Sequence, residues 1–135
     1  MTKQRDLALE WLVFAGEDLQ AAHVLSKEGI YSQACFHAQQ CAEKLLKAFL
    51  HFHAISFKKI HDLNELFRIC LPVNEEILQV FEEPLMVLNL YYAPTRYPDG
   101  IPGSFPHRLP NKTDAAQAFA TAEKLYKTIS LFLEK

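Results

Sequence analysis

The sequence predicts an all-α protein: an up-down antiparallel bundle of four long helices plus one short helix, with a long proline-rich loop before the last helix. Three observations predict it. Apolar residues recur in alternating steps of four and three along most of the chain, which is the helical period. No segment alternates with period two over a useful length, so strands have no support. The helix breakers are gathered: residues 93–112, APTRYPDGIPGSFPHRLPNK, hold five of the seven prolines and two of the four glycines. At 135 residues and 50% apolar, the chain suits one domain, residues 1–135, with a real core.

Ala8, Leu12, Ala15, Leu19 and Ala22 form the core face of a first helix from about Lys3 to Lys27, which Gly29 stops. Glu17 and Asp18 are expected on its outer surface, and Trp11 is large enough to anchor one end of the bundle. A second helix follows over Tyr31 to Phe52, YSQACFHAQQCAEKLLKAFLHF, after a turn short enough to make it antiparallel to the first. Its core seam is Ala34, Ala38, Cys41, Leu45, Ala48 and Phe52. A short helix lies in Ile60 to Cys70, with Asp62 as N-cap, Glu65 at N3 and Pro72 ending it. Asn74 caps the next helix, whose core face is Ile77, Phe81, Leu85, Leu88 and Tyr92, and Pro84 should kink or restart it. Thr113 and Asp114 open the last, with Ala115, Phe119, Ala122, Tyr126, Ile129 and Leu133 inward.

Charge and cysteine usage exclude several classes. With 14 Lys and Arg against 16 Asp and Glu, net charge −2, the surface is not built to wrap nucleic acid nonspecifically, though a local basic patch is compatible. Cys35, Cys41 and Cys70 are odd in number and lack CxxC spacing, so they are expected as reduced core residues without a disulfide or zinc role. The charged start MTKQRDLALEW has no apolar h-region, and no apolar run approaches the ~18 residues of a membrane span, so a cytoplasmic protein off the membrane is expected. No Glu-x-x-His pair and no GxxxxGK[ST], GxGxxG or GxSxG occurs, and no metal or other cofactor is expected. His51 and His53, two apart on a helix, project to nearly opposite sides and cannot share a metal.

Three places can carry chemistry. On the second helix His37, Gln40, Lys44, Lys47 and His51 form a polar stripe about 100° round from the core seam. It holds no carboxylate, and Glu43 lies off it. Any bundle helix needs a solvated face, but such a face usually mixes signs, so contact with phosphate is the second reading of the stripe. His61, beside the capping Asp62, is either a turn residue or an imidazole placed at a helix N-terminus where anions bind. In YYAPTRYPD the prolines restrict the backbone around Arg96 and Tyr97, a guanidinium for bidentate phosphate contact and a ring for base stacking. Arg96 can also serve to tie the loop to an acidic residue of the bundle.

These residues carry a resemblance to the HEPN domain family. The blocks are WLVFAGEDLQAA at Trp11 to Ala22, GIYSQACFHAQQCAEKLLKAFL at Gly29 to Leu50, KIHDLNEL at Lys59 to Leu66 and YYAPTRYPD at Tyr91 to Asp99, in order and nearly end to end. The resemblance implies an antiparallel bundle, often a homodimer, that binds nucleotide and partners a separately encoded minimal nucleotidyltransferase in a toxin and antitoxin pair. The family that this chain resembles includes many metal-independent ribonucleases whose signature is an Arg followed, four to six residues on, by a His. Here Arg68 has no downstream His in range, Arg96 has ten residues before His107, and Arg5 and Arg108 also fail. The expectation is therefore a protein that is not an enzyme by itself and binds nucleotide or RNA phosphate through His37, Gln40, Lys44, Lys47, His61, Asp62, Arg96 and Tyr97. The alternatives are a divergent ribonuclease toxin using Arg96 with His61 or His107, and an interaction bundle without chemistry.

Overall fold

The computed structural model describes residues 2–92 and 109–134, and these are helical with no strand among them. In chain order they are α1 (Lys3–Lys27), α2 (Tyr31–Phe52), α3 (Leu63–Cys70), α4 (Glu75–Leu78), α5 (Glu82–Asn89) and α6 (Lys112–Leu133). Thr2 caps α1 by accepting from Arg5 N at 3.1 Å. Gly29, at φ +78°, makes the reversal into α2, a backbone conformation that a side chain would strain.

The α1–α2 hairpin is built on small residues. Ala8, Ala15 and Ala22 on α1 and Ala34, Ala38, Cys41 and Ala48 on α2 are all buried, so the two backbones approach closely along their length. Pairings such as Trp11 with His51 and Asp18 with His37 fix the antiparallel sense. α6 closes the other side: Phe132 packs tilted against Phe49 at 5.3 Å and Phe119 against His23 at 5.3 Å, so α6 runs parallel to α2 and antiparallel to α1. Gly16 lets α6 come close, since a Cβ there would meet the Tyr126 hydroxyl at 3.2 Å. α2 touches α1, α3, α5 and α6, and 13 of its 22 residues are buried, which makes it the axle of the bundle.

The all-α antiparallel bundle is the one expected, with the third long helix in pieces. It runs as α4, a 3-10 turn over Gln79–Phe81, and α5. Pro84 sits in the first turn of α5, where its missing N–H has no helical partner to lose, so the chain restarts there instead of continuing. The break shifts the helical phase. Leu78 and Tyr91 are buried where Ile77 and Tyr92 were expected, while Phe81, Leu85 and Leu88 keep their places. α5 then packs antiparallel to α6, with Phe81 under Lys124 at 5.7 Å.

The cap at Asp62 is the one expected, with Glu65 in the first turn, and the cap of α6 differs in detail. Asp62 accepts from Asn64 N at 2.9 Å, and Glu65 stays exposed. Asn89 receives Leu63 N and donates to Asp62 Oδ1, both at 2.9 Å, which clips the end of α5 to the start of α3. α6 is capped by Asn111, whose side chain accepts from Asp114 N while Asp114 Oδ2 accepts from Asn111 N, each at 2.9 Å. Asp114 thus acts from the third helical position instead of opening the helix. The three cysteines are buried and unbridged, as expected of core residues.

Leu45, fully buried at the centre of α2, sets the expected cost of loosening the core. Leu45→Ala should lose about 2–5 kcal/mol in urea denaturation; a loss below ~1 kcal/mol would mean the α2 seam is not close-packed.

Candidate functional site

The polar residues of α2 are organised by two carboxylates. Asp18, on α1, lies three residues after Ala15 and four before Ala22, so it shares their buried seam and is not on the outer surface. Its Oδ1 is 2.9 Å from His37 Nδ1, and its Oδ2 receives Lys44 Nζ. Burial pushes the Asp18 carboxyl up, but the hydrogen bonds and charges of His37 and Lys44 outweigh that and hold it below its ordinary 3.8. Glu43, on α2 itself, is 5% exposed and makes the second node. Its Oε2 takes Lys47 Nζ at 2.9 Å and lies 2.8 Å from His61 Nδ1, while Gln40 Nε2 reaches Oε1 at 3.3 Å.

The expected stripe is therefore not a free cationic line. Lys47 is buried and ion-paired, and His37 and Lys44 are neutralised from α1. The physical reason is that α1 leans over this face of α2, and charges drawn out of water must be matched. Asp62 is occupied as a helix cap, and Arg96, Tyr97 and His107 lie outside the described residues.

At the Phe52 end of α2 the environment changes. A groove of ≈ 690 Å³ opens between the start of α1, the end of α2 and the segment leading to α3. Trp11, His51 and Phe57 form its aromatic wall, with His51 stacked on Trp11 at 6.1 Å and edge-on to Phe57 at 5.1 Å. Lys47, Lys58, Lys59 and His61 line it too, and among the described residues no carboxylate does. The Lys47 ammonium sits over the Trp11 ring at 5.4 Å. Lys58 and Lys59 are exposed and make no ion pair among the described residues. Ala54, at φ +55°, ends α2 in the left-handed conformation and turns the chain so that Phe57, Lys58 and Lys59 line this groove.

Burial lowers the pKa of both His51 and His53, favouring the neutral ring. They do diverge: His51 Nδ1 lies 3.3 Å from Gln4 Oε1 beside the groove, whereas His53 packs among Phe49, Phe52 and Phe132. Burial also pushes the Cys35 and Cys70 thiols up to about 12 and Cys41 higher, so none is a thiolate nucleophile at neutral pH. Among the described residues no three His, Cys, Asp or Glu gather as a metal site, and no helix is long and apolar enough to cross a membrane.

Reading the sequence alone missed Asp18, Glu43, Trp11, Lys58 and Lys59 as members of this region. Glu43 carried a signal, an i,i+4 pairing with Lys47. FKKIH, an aromatic followed by two lysines and the histidine, carried another.

Fold and site define the class: an all-α bundle with a buried ion-pair network that ends in a cationic, aromatic groove. Within that class the chain belongs to the HEPN family, whose domain model matches residues 8–132. The protein named Putative toxin MJ1304, from Methanocaldococcus jannaschii, is 31% identical over 130 residues, covering 90% of this chain and 84% of its own length. The crystal structure of TT1696 from Thermus thermophilus superposes with a TM-score of 0.76 at 32% identity, over 92% of this chain and 96% of that one. ST0689, an archaeal HEPN homologue, gives a TM-score of 0.71 at 29% identity, over 93% and 97%.

Glu43→Gln leaves the Lys47 charge buried without its counter-ion and should destabilise by about 3–5 kcal/mol, whereas Glu43→Gln with Lys47→Met should recover most of it. A thermodynamic cycle by denaturant titration reads this, and additive losses would contradict the pairing. For His51, the depressed folded pKa means that the unfolded chain takes up a proton first as pH falls below 6.5, so its contribution to stability is lost on acidification. His51→Gln should accordingly lose less melting temperature than the parent between pH 7 and pH 5, and an equal loss would reject a neutral buried His51.

Proposed function

We propose that this protein is a toxin-type HEPN domain that binds the phosphate of a nucleotide or RNA in the groove at the Phe52 end of α2. It acts in the cytoplasm, as a homodimer, with a separately encoded minimal nucleotidyltransferase. The observation that carries the reading is the groove's composition: Lys58 and Lys59, without an ion pair among the described residues, beside Trp11, His51 and Phe57, with no carboxylate in the described lining. Ammonium groups attract phosphate, and aromatic faces accept bases without demanding a sequence. The toxin assignment takes its support from the name of the M. jannaschii relative, and the partner is what the family resemblance implies.

The phosphate-binding set moves along α2 from the stripe first expected. His37 and Lys44 hold α1 in register through Asp18, and Lys47 and His61 belong to both the ion-pair network and the groove. In this reading Gln40 supports Glu43, and Asp62 shapes the entrance through its cap. Arg96 and Tyr97 are proposed as a second contact to the same ligand.

Calorimetric titration with ATP, GTP and a short single-stranded RNA tests the site. Lys58→Ala with Lys59→Ala should weaken binding about tenfold or more and reduce the slope of log affinity against log salt by about 1–2. Unchanged affinity and slope would remove the groove from the proposal. Affinity capture from the native organism that never recovers a nucleotidyltransferase would remove the partner.

A further inference from the structure

The solvent side of α5 is apolar where a bundle helix is ordinarily polar. Val80, Met86 and Val87 are each at least half exposed, and Leu90 is 44% exposed. Single exposed apolar residues are ordinary, but these form one surface: Pro84 lies one turn before Val87, and Met86 and Leu90 lie beside it, one turn apart. Between this ridge and α6 runs a groove of ≈ 320 Å³, with Pro84, Val87 and Tyr91 on one wall and Ala118, Ala120 and Thr121 on the other. The α6 wall is made of small side chains, which leaves room for side chains from outside. This groove shares no lining residue with the cationic groove at the Phe52 end of α2.

The charge around the surface has one sign. Residues 69–92 hold Glu75, Glu76, Glu82 and Glu83, all exposed, and no Lys, Arg or His. The helix dipoles favour glutamates in the first turns of α4 and α5, but a face made only for solubility mixes signs. None of the four makes an ion pair among the described residues. Lys124 of α6 reaches this side, where its ammonium sits over the Phe81 ring at 5.7 Å. We propose that α5 and α6 form a docking groove for a basic amphipathic helix of a separate protein. The apolar stripe of that helix covers Met86, Val87 and Leu90, and its lysines and arginines meet the four glutamates. Acidic charge repels RNA and nucleotide phosphate from this face, so the inference does not rest on the phosphate groove. A second copy of this chain is disfavoured for the same reason, since face-to-face contact would crowd two sets of glutamates.

The test selects binders to the full chain from a phage-displayed library of helices with randomised surfaces, and measures the selected peptides by fluorescence anisotropy. The expected helices carry apolar residues at i, i+3, i+4 and i+7 with Lys or Arg flanking them. They should bind about tenfold more weakly, or worse, to Val87→Asp and to Glu82→Lys with Glu83→Lys. All three side chains are exposed, so both variants should fold, which thermal melting checks. Val87→Asp should leave the titrations with ATP and RNA unchanged, which keeps this groove distinct from the phosphate reading. Selected helices without basic residues would overturn the proposal, as would binding indifferent to both variants or a library that yields no binder. Sedimentation equilibrium covers the remaining case: if Val87→Asp only dissociates a dimer, the face is a contact between copies and the proposal falls.

Discussion

The pairing of Glu43 with Lys47 is the interaction on which the rest of this structure depends. α2 is packed on most of its surface, so any ionised group it carries must be matched inside the protein or forfeit its hydration without return. Glu43 and Lys47 match each other one turn apart, and the spare capacity of the carboxylate recruits His61 from the segment before α3. That recruitment ties the end of α2 to the start of α3 and so forms one side of the groove. Asp18 does the same for the other half of α2, where His37 and Lys44 lock the register of α1 against it.

The two nodes divide α2 by purpose. Near Asp18 every described cation of the stripe is satisfied within the hairpin, and its net effect is structural specificity. Near Glu43 the network runs out before the basic residues do, and Lys58 and Lys59 line the groove with no counter-charge among the described residues. Similarity to TT1696 and ST0689 covers nearly the whole length of each, so the bundle that holds these nodes is a family architecture.

Much of the fold was legible because helical periodicity reports burial directly. The boundaries of α1 and α2, the turn at Gly29, the alanine and cysteine seam and the caps at Asp62 and Asn74 follow from residue types that have few physical alternatives. The broken third helix was half legible. Pro84 announced a restart, but the phase shift that buries Leu78 and Tyr91 depends on how α5 settles on α6 and α3. Asp18 shows the opposite limit, since an aspartate in an amphipathic helix defaults to solvent until a neighbouring helix supplies its counter-charges.

The sequence by itself determined the all-α class, the position of the helices, the family and the residue types available for phosphate chemistry. Local spacing suffices for these, because a helix's core face is set by a period of 3.6 residues. Only the tertiary structure decided which of those residues are free. Lys44 and Lys58 look alike in the sequence. The difference between a neutralised side chain and one that faces a groove lies in a carboxylate brought up from 26 residues away, a pairing that electrostatics enforces through space and that no local pattern records.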